Sequence, residues 1–580
     1  MAKHHRAIHV ATTRRTYKDK VYEAHLLRRT FREGTKVKSE TLGNLSHLPL
    51  HIIDLVRRSL KGETMVSSTD AFEIVSSFHH GHCDAVMRAM RCLGFDELIS
   101  STRSRERSLI LGMIAARIIE PNSKLATTRW WKTTTIPAEL GIADADENDL
   151  YDAMDWLLKR QPRIESKLAA RHLKEDGLVL FDLTSSYFEG VTCPLAARGK
   201  NRDGKEGKLQ VNWGMLTDGQ GRPVAASVFK GNTGDPKTLM PQVLKVKDEF
   251  HIKSMAMVGD RGMITQTQIN EIKELDGVDW IGALKTEGIK KLVEGEAIQM
   301  EFFDKRNIFE LTHPDYPGER LIACLNPELR KRRGHTRQSL LDATTKELEK
   351  VRVMVQRGRL KDTTAAGIGV RVGEVINKYK MAKHVVLEIK DGFFNYQINK
   401  EKVEAETALD GIYVIRTSLD KERSSAEDTV LNYKRLTLIE QAYRSMKTVD
   451  LEIRPIRHFT EDRVRAHIFL CMLAFYVEWH MREAWRSLLF FDEELEAKET
   501  RDPVSPAQRS EAAMKKVHTK VLDDGTEVHS FQTLLKLLGT VVRNICRVPR
   551  AGPDGPTFEV VTTPDTKQRQ AFALLEAIEV

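Results

Sequence analysis

The apolar residues of this chain change their period at one place, and that change divides it. Between residues 84 and 160 they recur every third or fourth position, in Asp84–Leu93, Glu106–Ile119 and Leu150–Arg160. That spacing predicts helices, each burying one stripe. At Gly177 the period shortens: Leu178-Val179-Leu180-Phe181 is a continuous apolar run closed by Asp182, as expected of a strand covered on both faces. Gln210–Thr217 and Pro223–Lys230 read as two further strands joined by the turn Asp218-Gly219-Gln220-Gly221-Arg222, a meander. Asp235-Pro236 sets a cap residue before an N1 proline and opens a helix to about Phe250. Met255–Val258 is the next strand, ending in Gly259-Asp260-Arg261-Gly262; a helix to about Leu275 and a strand over Asp279–Leu284 follow.

The alternation is interrupted from about 286 to 408, where strand-like pieces (Arg320–Leu325, His384–Ile389, Gly392–Ile398) flank a charged helical run, Thr336–Arg357. Gly411–Thr417 then reads as a last core strand. Ser424 or Ser425, with Glu427 or Asp428 three residues on, opens a helix through Lys447. Pro455 bars its continuation, and a long apolar helix over about Asp462–Leu489 is expected to pack on the sheet. The pattern predicts an α/β protein in five parts: a basic N-terminal module (1–67), a helical domain (68–175), a sheet-centred core (176–285 and 409–490), an inserted α+β subdomain (286–408) and a C-terminal helical region (491–580). The last contains a mixed-charge patch at Asp492–Arg501 and a helix near Phe531–Arg543.

At 580 residues the chain exceeds what one core accommodates. With 41% hydrophobic and 30% charged residues it is ordinary for a folded soluble protein. The basic, polar start carries no signal-peptide pattern, and the most apolar stretch, Ile468–Val477, is about half a membrane span. A cytoplasmic location is therefore expected, with no membrane partner. The six cysteines are scattered without a CxxC pair, which argues against a disulfide framework or zinc ribbon. The net charge is +9, and residues 1–50 alone hold eleven Lys and Arg against four Asp and Glu. A second basic cluster comprises Arg330, Lys331, Arg332, Arg333 and Arg337. Such clusters suit a polyanion, or else simply a solvated face.

Three acidic residues stand out by position. Asp182 and Asp260 each end a strand of the expected core sheet, and Glu440 lies on the helix after its last strand. Functional groups of open α/β sheets gather at the carboxyl ends of strands. Clustered carboxylates suit Mg²⁺ or Mn²⁺, and two such ions clamp the attacking and leaving oxygens of an in-line phosphoryl transfer. Singly, each has a plain structural role open to it: a strand-end cap, a turn residue, an ion-pair partner for Arg444. The surroundings of Glu440 tip the balance. Tyr433, Glu440 and Lys447 are seven apart and form one stripe, while Leu431, Leu438, Ile439 and Ala442 make the apolar face. A stripe of phenol, carboxylate and ammonium suits metal and phosphate, with Tyr433, Arg444 and Lys447 as DNA phosphate contacts.

Asn432–Lys447 (NYKRLTLIEQAYRSMK) resembles the YREK signature of the IS4-like group of bacterial insertion-sequence transposases. Phe181–Gly190 (FDLTSSYFEG), Val258–Met263 (VGDRGM) and Asp450–His458 (DLEIRPIRH) are similar to its IS1634 branch. The resemblance covers roughly residues 175–480. It implies an RNase H-like catalytic core with an insertion before the last acidic residue, and a DDE triad of Asp182, Asp260 and Glu440 holding two Mg²⁺ or Mn²⁺ ions. It implies cut-and-paste movement on double-stranded DNA, element ends and target alike, by a homodimer assembled on that DNA. In one place the pattern departs: the arginine expected three residues after the tyrosine falls on Leu436, and Arg435 points about 100° away on a helix. A metal-dependent nuclease without strand transfer, or a DNA-binding derivative without catalysis, are the alternatives. His79, His80 and His82 suggest a metal cluster but lack a second ligand group, so a helix-entry loop is favoured. His458 is expected to reach the active site or to cap the next helix, and Trp130-Trp131 to serve packing.

Overall fold

The computed structural model describes residues 7–18, 20–63, 71–494, 502–505, 508–548 and 554–579. The boundary expected at residue 67 and most of the patch expected at Asp492–Arg501 lie outside them. The chain forms two units, Met1–Ser77 with Arg543–Thr562, and Phe78–Val542 with Thr563–Val580. In the first, β1 (Ala7–Tyr17), β2 (Lys20–Glu33) and β3 (Lys36–Asn44) form an antiparallel sheet. The β-like runs His9–Thr13 and Val21–Leu26 are thus parts of longer strands, and the helix Leu50–Leu60 packs on β1 through a face centred on Ile53. A second three-stranded sheet joins β4 (Glu73–His79) to β15 (Val542–Arg547) and β16 (Thr557–Val561). The helix expected over Phe531–Arg543 ends at Leu538, and β15 begins at Val542; Gly539 between them packs so closely on His82 that a Cβ there would lie 2.3 Å from its ring.

The second unit is built on one mixed sheet of eight strands. Its members are β5 (Gly177–Tyr187), β6 (Gln210–Asp218), β7 (Pro223–Lys230), β8 (Met255–Val258), β9 (Val278–Ala283), β10 (Ile308–Leu311), β11 (Arg320–Leu325) and β14 (Ile412–Thr417), in the order β10-β11-β14-β9-β8-β5-β6-β7. β5, β8 and β9 run parallel and every other neighbour is antiparallel. The two strands β10 and β11, from within the stretch expected to be an insertion, therefore extend the main sheet. What stands apart is the part with its own core: the helices Pro327–Gln356 and Ala365–Tyr379 enclosing Leu348, Val351, Ile368 and Val372 against β12 (Val385–Lys390) and β13 (Phe393–Ile398).

The helix Glu461–Ala484 is buried almost throughout, from Val464 to Met481. It packs against β7 and against the helices Arg105–Ile119 and Glu147–Leu158, which explains an apolar surface on all sides. Among the described residues no helix is long and apolar enough to cross a membrane.

Candidate active site at the edge of the parallel strands

The register between β5 and β8 sets the first two carboxylates at one level. Their last rung is Leu180↔Val258. Asp182 and Asp260 each lie two residues beyond it, on chains about 4.8 Å apart. Asp182 does not end its strand, however. β5 runs on to Tyr187 because its antiparallel partner β6 continues past the end of β8, pairing Asp182 with Met215. The close fit beside Asp182 needs a glycine opposite: a Cβ on Gly214 would lie 2.5 Å from the Phe181 ring and 3.1 Å from the Asp182 carbonyl oxygen.

Asp260 is held by its own turn. Its Oδ1 accepts the backbone N–H groups of Gly262 (2.9 Å) and Met263 (2.8 Å). A Cβ at Gly262 would sit 3.3 and 3.4 Å from the two carboxylate oxygens, so the glycine keeps that side clear.

Glu440 is exposed on the helix Leu436–Arg444, whose other face buries Ile439 and Ala442. Tyr443, one turn on, fixes that helix to the sheet: its hydroxyl donates to the carbonyl of Asp182 and accepts the N–H of Met215 (3.2 Å), and its ring stands edge-on to Trp213 at 4.9 Å. Residues three apart are neighbours on a helix surface, so the anchor that holds Asp182 also presents Glu440. At the far end of the helix, Ser445 Oγ lies 2.8 Å from Asp450 and 2.7 Å from Glu478 of the central helix.

Electrostatically the three carboxylates form one cluster. Burial pushes the Asp182 carboxyl up to about 7; the Leu183 N–H and the Arg202 guanidinium oppose this, and the negative charges of Asp260 and Glu440 add to it. Tyr433 senses all three: burial and then the Asp260, Asp182 and Glu440 charges push its phenol up to about 12, against Arg261. Among the described residues no three or more His, Cys, Asp or Glu side chains are close enough to hold a metal ion. The grouping is one of fields rather than of ligand distances.

The expected stripe divides. The helix breaks at Arg435, whose guanidinium donates to the Gly219 carbonyl (2.9 Å), leaving Tyr433 on one segment and Glu440 on the next. Arg444 is exposed, without an ion-pair partner among the described residues, in a cleft of about 650 Å³ shared with Trp479, Arg482, Arg486 and Phe491. Lys447 is buried in a π-helical turn and turns inward, its Nζ 2.9 Å from Asp203. Asp203 also pairs with Arg454 and accepts the Tyr187 N–H (2.8 Å), so Lys447 secures the loop between β5 and β6. Burial lowers the pKa of this lysine and the Asp203 carboxylate opposes the fall.

Several residues here escape a reading by local pattern. Asp235, expected to cap a helix, makes no side-chain cap and instead pairs with Arg202 at 2.6 Å. The basic run Arg198, Lys200, Arg202, Lys205 and Lys208 was the available signal for that loop. His458 neither reaches the carboxylates nor caps: Thr460 caps the central helix, while His458 packs on His467 (4.8 Å) and Tyr151 (6.1 Å). His82 opens the helix Gly81–Cys92 between the rings of His79 and Trp130.

Comparison with known proteins follows the same division of the chain. The family model "Transposase DDE domain" matches residues 174–477, and "IS1634 family transposase, N-terminal domain" matches residues 10–70. No curated protein sequence matches. Among solved structures, the chain is similar at 8% identity and a TM-score of 0.33 to a piggyBac transposase, seen by cryo-EM in a synaptic complex with hairpin DNA. The match covers 79% of this chain and 77% of that one.

Proposed function

This chain belongs to the transposase DDE domain family, in its IS1634 branch, and from that premise we propose a cut-and-paste reaction carried by Asp182, Asp260 and Glu440. The enzyme binds the terminal inverted repeats of an insertion sequence, cleaves at the element ends and joins the freed 3′-OH to target DNA. The observation that carries this reading is the shared level of Asp182 and Asp260 two residues past one rung, with Glu440 presented by the Tyr443 anchor. An RNase H-like core fits that placement.

The donor set fits Mg²⁺ or Mn²⁺, being three carboxylates that supply only oxygen ligands. A bound pair of ions would supply positive charge to the attacking and leaving oxygens. The protein's own residues do the rest. Asp182, Asp260 and Glu440 hold the ions; Tyr433, placed among them, and Arg444 on the open flank contact phosphates. Lys447 acts through Asp203, keeping the β5–β6 loop beside the site. The basic module over 1–67 reads the element ends, and a homodimer brings two ends together on nucleoid DNA in the bacterial cytoplasm.

The test uses the full chain with DNA carrying candidate terminal repeats. With Mg²⁺, joined products are expected; with chelator, binding without cleavage. Nicking without joining would make the protein a nuclease, and binding alone a derivative without catalysis. Glu440→Gln is expected to abolish cleavage while leaving end binding intact. Unchanged cleavage by this variant would remove Glu440 from the triad.

A further inference from the structure

Beside the carboxylates, at the same end of the sheet, a second feature has no role in the chemistry above. A cleft of about 300 Å³ opens between the turn after β8, the end of β9 and Tyr316. Its rim carries Arg261, Lys285 and Lys291, all exposed and none with a carboxylate partner among the described residues. Among the described residues, Glu287 is the only acidic side chain lining it. Its floor is already neutral: Arg416 is buried and paired at 2.6 Å with buried Glu319. Three rim cations thus face one rim carboxylate, and they line a concave surface.

The sheet register sets the distance from this rim to the chemistry. β9 runs parallel to β8 with Val258↔Ile281 as a rung, so Ala283 is level with Asp260 and Lys285 lies two residues further. Leu284 keeps the ladder, its N–H donating to the Val414 carbonyl at 2.9 Å. One strand across and two residues along amounts to roughly 8 Å between the backbones of Asp260 and Lys285. The rise of about 3.4 Å is only the axial part of each step along a strand, whose successive phosphates lie roughly 6–7 Å apart, so this distance is one to two nucleotides.

We propose that Arg261, Lys285 and Lys291 form a phosphodiester-binding track that holds one DNA strand one to two nucleotides from the bond cut at the carboxylates. This rests on the reading of the site as a DNA-cutting centre. The ligand is the sugar–phosphate backbone, since ammonium and guanidinium groups on an open rim read charge and not base identity.

Two measurements test it. The first is binding of the full chain to an end duplex and to an unrelated duplex over a salt series without divalent metal. Each phosphate contact contributes about 0.9 to the slope of log K against log salt. Lys285→Ala/Lys291→Ala is expected to flatten that slope by about 1.8 on both duplexes, and Lys285→Arg/Lys291→Arg to preserve it. The second uses end duplexes with single uncharged methylphosphonate linkages. A linkage one or two nucleotides from the cut should weaken the natural protein but leave the alanine variant no weaker than before, whereas linkages elsewhere should cost both equally. An unchanged slope, or equal sensitivity of both proteins at every linkage, overturns the track while leaving the DNA-cutting reading intact. A natural protein that binds neither duplex overturns both.

Discussion

Asp260 and Asp182 arrive at the same level of the sheet by opposite means. Asp260 is placed by residues within three positions of it: Gly262 and Met263 donate to its Oδ1, and Gly262 leaves the space a Cβ would take. Asp182 is placed by contacts 33 and 261 residues away. Met215 pairs with it across the sheet, and Tyr443 brings the helix of Glu440 onto its carbonyl. A locally placed carboxylate keeps its geometry as long as its turn forms. One placed by tertiary contacts depends on every element that meets there, and it carries the electrostatic cost of being enclosed. The contrast predicts that damage to this site falls unevenly, mostly on the Asp182–Glu440 side.

The largest effect is expected at Tyr443, the positioning residue of that side. Tyr443→Phe keeps the ring against Trp213 and removes only the hydroxyl between Asp182 and Met215. The carbonyl and N–H left without it cost about 1–3 kcal/mol of stability. A shift of about 1 Å in Glu440 would cost on the order of 10²-fold in cleavage rate. End-DNA binding should stay within a few-fold of the natural protein, because the phenol lies beneath the site. Thermal melts and single-turnover cleavage check this together. Cleavage at the natural rate would show that Glu440 does not depend on this anchor.

The next effect concerns enclosure itself. Asp182 has its carboxyl raised to about 7, by burial first, whereas an unfolded aspartate titrates near 3.9. Below about pH 4 both states are protonated and the shift contributes nothing. As pH rises towards 7 the unfolded chain releases this proton and the folded one retains it, so folding is progressively disfavoured, and above about 7 the loss is constant. Asp182→Asn removes that penalty. The variant is expected to melt above the natural protein at pH 8 by the equivalent of about 4 kcal/mol, with the gap closing towards pH 4, and to have no cleavage activity. A pH-independent gap would show that burial of this carboxyl is not what destabilises the fold.

The same division governs what the sequence reveals. The strand run Leu178–Phe181, the turn Gly259–Gly262 and the helix cap at Ser425 rest on neighbours in the chain, and each stands where its pattern indicates. Features made by distant partners were not readable. β5 overruns Asp182 because β6 outlasts β8. Asp235 prefers Arg202, 33 residues away, to the helix it precedes. Lys447 turns from the stripe to Asp203, 244 residues earlier. β10 and β11 join the main sheet through β14, almost a hundred residues on. Tyr443 was visible as an aromatic one turn past Glu440, but nothing local says that its hydroxyl would enter the β5–β6 ladder.

The smallest effect belongs to the local side, and it decides whether the contrast holds. If Asp260 is fixed by its turn alone, an acceptor at Oδ1 is all its placement needs. Asp260→Asn keeps that acceptor, while Asp260→Ala removes both hydrogen bonds to Gly262 and Met263. Loss of a comparable turn or cap acceptor costs about 1 kcal/mol. The alanine variant should therefore melt slightly below the natural protein and the asparagine variant close to it, with cleavage lost in both because neither side chain is a carboxylate. The separation of the two melting curves is the informative quantity. Were Asp260→Asn to destabilise as much as Asp260→Ala, the turn would need the charge as well as the acceptor. Asp260 would then depend on distant partners as Asp182 does, and the two carboxylates would be placed by one mechanism.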